Sequence, residues 1–370
     1  MTNVSLRDRI LLAVDSQLSK PGNEALDSFV NLPCVEKWQP ENMYGLEITK
    51  VFNIGLPFAL LAGNKSAESH RKAVGGAVGK GEEPSKSLLS EVHAGALLSN
   101  WGAKVKFIPQ QAHPTPDIQA SWGDGASIDV EVVRGDTRQL HKDVQKGLES
   151  FCGALQPGDT GWNFIGFIAD ASDVIDLTAM FDAGLKLIPG ESAEEHNKWC
   201  IRAVSLEMRD DVVGGRSVEL FAPEWWPTDE PAYVVTSSLI GSNVNPAVMF
   251  RSLIPLASYR NPILRKATSG QSHPNNPYLI ALDVSELPRA HQRIVEELQK
   301  DFKVWTHVSA VLLFDPRFFV GIRNKEYIVS IHLNPNASIA LVPELAKISS
   351  ENCFTVDFSL SESIGTKTEN

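Results

Sequence analysis

Between residues 117 and 133 the chain reads DIQASW, GDG, SIDVEVV. Two short alternating runs joined by an Asp-Gly turn predict a β-hairpin, because that dipeptide accepts the backbone twist a tight strand connection needs. The second run is the most constraining segment of the sequence. Ile128, Val130 and Val132 alternate with Asp129, Glu131 and Val133, so two acids share one face of a strand whose other face is apolar. A carboxylate in such a strand is costly to bury alone. Glu131 therefore calls for a cation, either a basic side chain such as Arg134 or Arg138 or a bound metal ion.

The flanking segments extend the pattern. Leu88, Leu89, Val92, Ala96, Leu97 and Leu98 predict a helix over residues 87–101, closed by Gly102. VKFI at 105–108 reads as a strand, and a polar loop with Pro114 and Pro116 leads into the hairpin. Downstream, a helix is expected at 141–155, a buried strand at 162–170 (WNFIGFIAD), a strand at 277–285, a helix at 288–301, and strands at 309–315 and 326–334. This order predicts an α/β fold, a mixed sheet covered by helices.

The front of the chain is mainly helical. Ser5 and Asp8 cap a first helix, with Pro21 and Gly22 marking its exit. A second helical segment over 48–61 contains Gly55 and Pro57 and is expected to kink or break. Residues 63–86 mix Gly, Ser and both charge signs and read as a linker, which sets off residues 1–84 from a domain over 85–345 and a polar, frayed tail over 346–370. The run Gly75 to Gly81 lacks the Ser or Thr after Lys80 and the preceding strand that a phosphate-binding loop requires. Residues 176–262 show no clear pattern, and WWPTDEP at 225–231 reads as a loop with exposed or edge-packed aromatics.

With 370 residues, 43% of them hydrophobic, the chain can bury a sizeable core. Its formal charge of -11 argues against broad adhesion to nucleic acid or an anionic membrane, so a nucleic-acid partner would need a local basic strip. Cys34, Cys152, Cys200 and Cys353 are widely spaced, without metal-finger spacing, and read as reduced thiols of a cytoplasmic protein. The first residues lack the apolar core of a signal peptide, and no run approaches the ~18 apolar residues of a membrane span.

A helix with Glu91, a short strand, Pro116-Asp117 opening the next strand and Glu131 inside the following one resembles the PD-(D/E)XK nuclease superfamily. The match runs through SLLSEVHAGALLSNWGAKVKFI and TPDIQASWGDGASIDVEVVRG. The resemblance implies a restriction-endonuclease-like mixed β-sheet flanked by helices and a metal-dependent nuclease acting on DNA, with prokaryotic restriction or defence as the setting the superfamily suggests. It implies that Asp117 and Glu131 hold Mg²⁺ or Mn²⁺, with Glu91 as an outer or second-metal ligand. The family's lysine two residues after the second acid is here Val133, which cannot supply positive charge. Either Lys142 and Lys146 on the following helix replace it, with Gln145 orienting water or a ligand, or the site is degenerate and the fold serves as a nucleic-acid- or protein-binding module. A second register promotes Asp129 to a metal ligand and puts Glu131 in the lysine's place.

Nothing in the spacing makes His93, His113 or His141 a ligand. The series Arg202, Arg209, Arg216, Arg251, Arg260, Arg265 and Lys266 offers a phosphate-contacting edge or ordinary scattered surface charge. A different α/β hydrolase with mimicking acids is a third class. Cutting both strands of a duplex calls for two sites, and a homodimer is expected on that ground alone.

Overall fold

The computed structural model describes residues 5–14, 18–38, 46–109, 115–123, 126–135, 146, 149, 151–153, 162–169, 177–205, 207, 221–227, 232–238, 247–253, 263–267, 275–285, 291–318, 324–343, 345 and 353–357. The chain is mixed α/β and divides into two compact units. The first takes Met1–Arg134, Pro262–Ser285 and Val295–Asn370, and the second Gly135–Asn261 and Glu286–Ile294.

The first unit opens with α1 (Leu6–Ala13), α2 (Lys20–Val30), α3 (Leu46–Leu60), α4 (Glu68–Gly79) and α5 (Lys86–Asn100). Ser5 caps α1 by accepting the Asp8 N–H at 3.1 Å, as the sequence predicts. Pro21 and Gly22 do not end that helix. They lie in the first turn of α2, where a missing N–H costs nothing. The α3 helix runs unbroken through Gly55 and Pro57, because packing against α2 holds it: a Cβ on Gly55 would stand 2.1 Å from the Ala25 carbonyl oxygen.

Residues 63–86 are not a linker. They contain α4, whose glycines are spacing devices rather than hinges. Cβ atoms on Gly75 and Gly79 would lie 2.2 Å from the Pro33 carbonyl oxygen and 2.3 Å from that of Cys34. Only a bare helix face lets the 33–34 backbone approach so closely. The helical front section is consequently part of the first unit, and its side chains share one apolar core with the sheet.

That sheet has the order β1 (Lys104–Phe107), β2 (Ile118–Trp122), β3 (Ala126–Arg134), β9 (Tyr278–Asp283), β10 (Ala310–Phe318), β11 (Asn324–Leu333), β12 (Cys353–Asp357). Strands β1, β2 and β3 are antiparallel, β3, β9 and β10 run parallel, and β11 and β12 return antiparallel. The predicted hairpin is β2–β3, with Ile118 opposite Val130. Alternation decides the faces. Ile128, Val130, Val132, Leu279, Ala281, Leu312, Phe314, Tyr327 and Val329 join the core shared with the helices, which leaves Asp129, Glu131 and Val133 on the other face. The last paired strand, β12, falls inside the stretch expected to be a frayed tail: its backbone completes the β11 edge.

The second unit corrects another expectation. The WNFIGFIAD run is β4 (Trp162–Ile168), and it does not follow β3 in one sheet. It is central in a second sheet of order β5 (Ser192–Glu195), β6 (Trp199–Ser205), β4, β8 (Ala247–Leu253), β7 (Ala232–Ser238). Both faces of β4 are buried. Phe164 packs with Phe151, Phe250 and Met180, the last on α6 (Leu177–Gly184), while Ile165 and Phe167 pack with Trp226. The Trp226 ring is 5.0 Å from that of Phe167, so the WW pair of the unread middle region supplies a lid to this core. The remaining helix, α7 (His291–Asp301), lies between β9 and β10 in sequence. No described helix is long and apolar enough to cross a membrane.

The glycine geometry makes a paired prediction. Gly55→Ala should lower unfolding stability by about 2 kcal/mol or more, because backbone must move, whereas Gly76→Ala, which meets no atom within 4 Å, should raise it by roughly 0.5–1 kcal/mol. Urea midpoints of both variants check this; equal shifts would refute the packing account.

Candidate functional site

The acid-bearing residues sit where β2 and β3 meet. Asp117 directly precedes β2, held between two strands: the Ile108 N–H donates to its carbonyl oxygen at 2.9 Å, and the Val132 N–H donates to its Oδ2 at 2.8 Å. Glu131 projects from the middle of β3 and is completely buried. The two carboxyl groups act directly on each other. Burial pushes both toward the protonated form; the charge of Asp117 adds to the rise of Glu131, while side-chain hydrogen bonding to Glu131 lowers Asp117. Glu131 is pushed up to about 7, first by burial and then by Asp117. Lys266 pulls it down, and the Asp117 main chain does so least. Asp117 is raised by burial, against the pull of the Val132 N–H and Lys266, with the charge of Glu91 adding to the rise.

The cation at this pair is Lys266. Its Nζ donates to Glu131 Oε1, while Glu131 Oε2, also shielded from solvent, has no hydrogen-bond partner among the described residues. Lys266 belongs to a helical turn over 263–267 in the first unit, seated by Ile263 and Ala267, both buried. The turn is tied down at its carbonyls. The Tyr278 hydroxyl donates to the Lys266 carbonyl oxygen at 3.3 Å, and the His307 ring bonds that of Ala267. Tyr278 and His307 are themselves stacked, with ring centroids 6.3 Å apart. The lysine's place is therefore set by backbone anchors as well as by its ion pair.

Among the described residues, positive charge beside Glu131 thus arrives from the segment that leads into β9. Lys146 is an exposed helical residue of the second unit, and Lys142 and Gln145 lie outside the described residues, as do His113 and His141. In the sequence Lys266 stands out only as the end of a basic series. A lysine shortly before the strand that pairs in parallel with β3 is the signal that could have singled it out.

Asp129 is nearly as buried as Glu131 and takes a different role. Its Oδ1 accepts from Asn276 Nδ2 at 3.1 Å and from Gln119 Nε2 at 3.4 Å, so neutral amides engage it at the head of β3 and β9. Val133 is buried beside Leu282 in register.

Glu91 lies on α5, which packs across β1, β2 and β3 on their apolar face, and its charge acts on Asp117. Its Oε2 is 3.0 Å from His70 Nε2 on α4. The α5 helix is pinned by neighbours of Glu91. Ser90 Oγ donates to Asp283 Oδ2 at 2.6 Å, and His93 Nδ1 meets the Tyr327 hydroxyl at 2.8 Å. Complete burial, then the nearby charge of Asp283, raises the Tyr327 hydroxyl well above its ordinary value. His93 is accordingly a packed core histidine.

Chemically the arrangement offers hard oxygen donors from Asp117 and Glu131, with Glu91's charge within reach of Asp117 and one ammonium beside Glu131. Among the described residues, no three His, Cys, Asp or Glu side chains form a metal-ligating group. Two carboxylates match a cation that keeps its own waters and takes further oxygens from a phosphate substrate, which is the habit of Mg²⁺.

The raised Glu131 makes stability pH-dependent. Its folded value near 7 lies above the ordinary 4.5, so its stabilising protonation is complete below about pH 4.5 and is lost as pH rises through 7. Glu131→Gln, which keeps the protonated shape, should gain on the parent protein by on the order of 3 kcal/mol between pH 5 and pH 8. Denaturant midpoints at the two pH values test this, and a constant difference would rule it out. No protein-family model matches the chain, and no curated protein or solved structure matches it either.

Proposed function

We propose that the protein is a metal-dependent nuclease that hydrolyses phosphodiester bonds of DNA through a PD-(D/E)XK-like site, in a prokaryotic restriction or defence setting. The observation that carries this reading is the meeting of the half-buried Asp117 and the fully buried Glu131 with the Lys266 ammonium. Side chains that repel each other at this cost persist where a bound cation or substrate needs them. The succession α5, β1, β2, β3 and then β9 parallel to β3 supports the same reading, since it is the order of helix and strands expected of a restriction-endonuclease-like core.

The donor set fits a hard divalent cation. Asp117 and Glu131 would hold it, with Glu91 as an outer ligand, and the unpartnered Glu131 Oε2 is the oxygen with coordination to spare. Bound there, Mg²⁺ or Mn²⁺ supplies Lewis-acid polarisation of a phosphate and a lowered pKa for an attacking water. The chain's own contribution is position and charge. The Val132 N–H fixes the Asp117 carboxylate, and β3 fixes Glu131. Lys266 occupies the role that Val133 cannot fill, placing positive charge where the phosphate becomes more negative. Buried Ile280, opposite Glu131 in register, and Val133 keep water from flooding that face of β3.

The deciding experiment incubates the full chain with supercoiled plasmid and single-stranded oligonucleotides in Mg²⁺, Mn²⁺ or EDTA. Cleavage is expected only with the metals, lost on Asp117→Ala or Glu131→Ala, and reduced by about 10²-fold or more on Lys266→Met. Retained cleavage in Asp117→Ala would refute the site. A folded parent protein that cuts nothing in either metal would refute the hydrolase and favour a nuclease-like binding module.

A further inference from the structure

A histidine of the helical front section meets one of the acids directly. His70 is the only described histidine of α4, and its ring bridges from that helix to α5. Nε2 lies 3.0 Å from Glu91 Oε2, and the ring rests on Phe107 of β1 with centroids 4.4 Å apart. Phe107 is itself fixed, since its N–H donates to Ser66 Oγ at 3.0 Å. The Nδ1 side is less constrained, 3.4 Å from Ser69 Oγ. His70 and Glu91 are largely enclosed, with side-chain exposures of 12% and 27%. The close seating of Gly75 and Gly79 against the 33–34 backbone fixes α4 from behind. Glu91 in turn lies on the helix that packs across β1, β2 and β3, and its charge acts on Asp117.

We infer that His70 is a positioning residue for the Glu91 carboxylate, through which the helical front section orients the outer ligand of the proposed cation. The inference rests on the nuclease reading above. A flexible glutamate on a helix surface has several rotamers, and ordering one of them for a cation carries an entropy cost. Holding Oε2 from the side fixes the carboxylate plane in advance and leaves Oε1 to serve the cation or its water. Partners of this kind, one bond removed from the metal, typically govern affinity by about 10–100-fold.

Titration calorimetry with Mn²⁺ on the full chain tests this without relying on cleavage. His70→Ala should weaken Mn²⁺ binding by about 10–100-fold. His70→Gln, whose side-chain amide can still donate to Glu91, should recover most of that loss. In a Glu91→Gln background, His70→Ala should have little further effect, because the two act through one interaction. Denaturant midpoints without metal identify any variant that fails to fold; His70→Gln and Glu91→Gln then carry the comparison. Parental affinity in His70→Ala, no recovery in His70→Gln, or an equal loss in the Glu91→Gln background would overturn the role of His70 and leave the nuclease reading standing. A parent protein that takes up no Mn²⁺ would overturn both.

Discussion

Glu131 is buried completely in the interior of a strand, and much of the first unit can be read as the means of keeping it there. An isolated buried carboxylate is costly in free energy, and two together cost more. The chain meets this with one ammonium at Oε1 and with partial neutralisation of the pair, leaving Oε2 without a partner. The opposite face of the same strand is apolar from Ala126 to Val132 and locked into the helical core through Ile128, Val130 and Val132. Register therefore cannot slip to expose the acid, because a shift by one residue would drive Asp129 and Glu131 into the hydrocarbon side. Apolar burial on one face enforces polar burial on the other.

This coupling also explains which parts of the molecule were legible in the sequence. The β2–β3 hairpin, α5 and the later strands of the first sheet follow from local periodicity and turn chemistry, which act over a few residues. Asp117 and Glu131 stand out for the same reason: each breaks an otherwise regular local pattern. What local pattern cannot specify is a distant partner. The β4 run is as clear a strand as β9, yet nothing within it says that it pairs with β6 and β8 rather than β3. Lys266 and His70 are ordinary surface residues by composition and acquire meaning only from what they face. The helix α4 was obscured for a different reason, since Gly75 and Gly79 disfavour a helix by propensity yet permit close backbone packing.

The two sheets use their polar residues differently. In the second unit the cores on both sides of β4 are aromatic, with Phe151, Phe164 and Phe250 on one face and Phe167 with Trp226 on the other. In the first unit buried polar side chains concentrate around β3, β9 and α5: Asp129 with two amides, Asp283 with Ser90, Tyr327 with His93. Satisfied bonds of this kind add directional constraints that apolar packing lacks. They fix the rotation of α5, and with it the azimuth at which Glu91 leaves the helix.

The separation of Glu131 from Lys266 has a consequence in time. The two are 135 residues apart, with the whole 135–261 segment of the second unit lying between them in the chain. At ribosomal speeds of about 5–20 residues per second, the acid precedes its counter-ion by on the order of ten seconds. During that interval the nascent hairpin carries Asp117 and Glu131 without their ammonium, and the parallel neighbour β9 does not yet exist. Completion of the first sheet, and of the charge balance at its centre, is in this sense gated by synthesis of the segment that interrupts it.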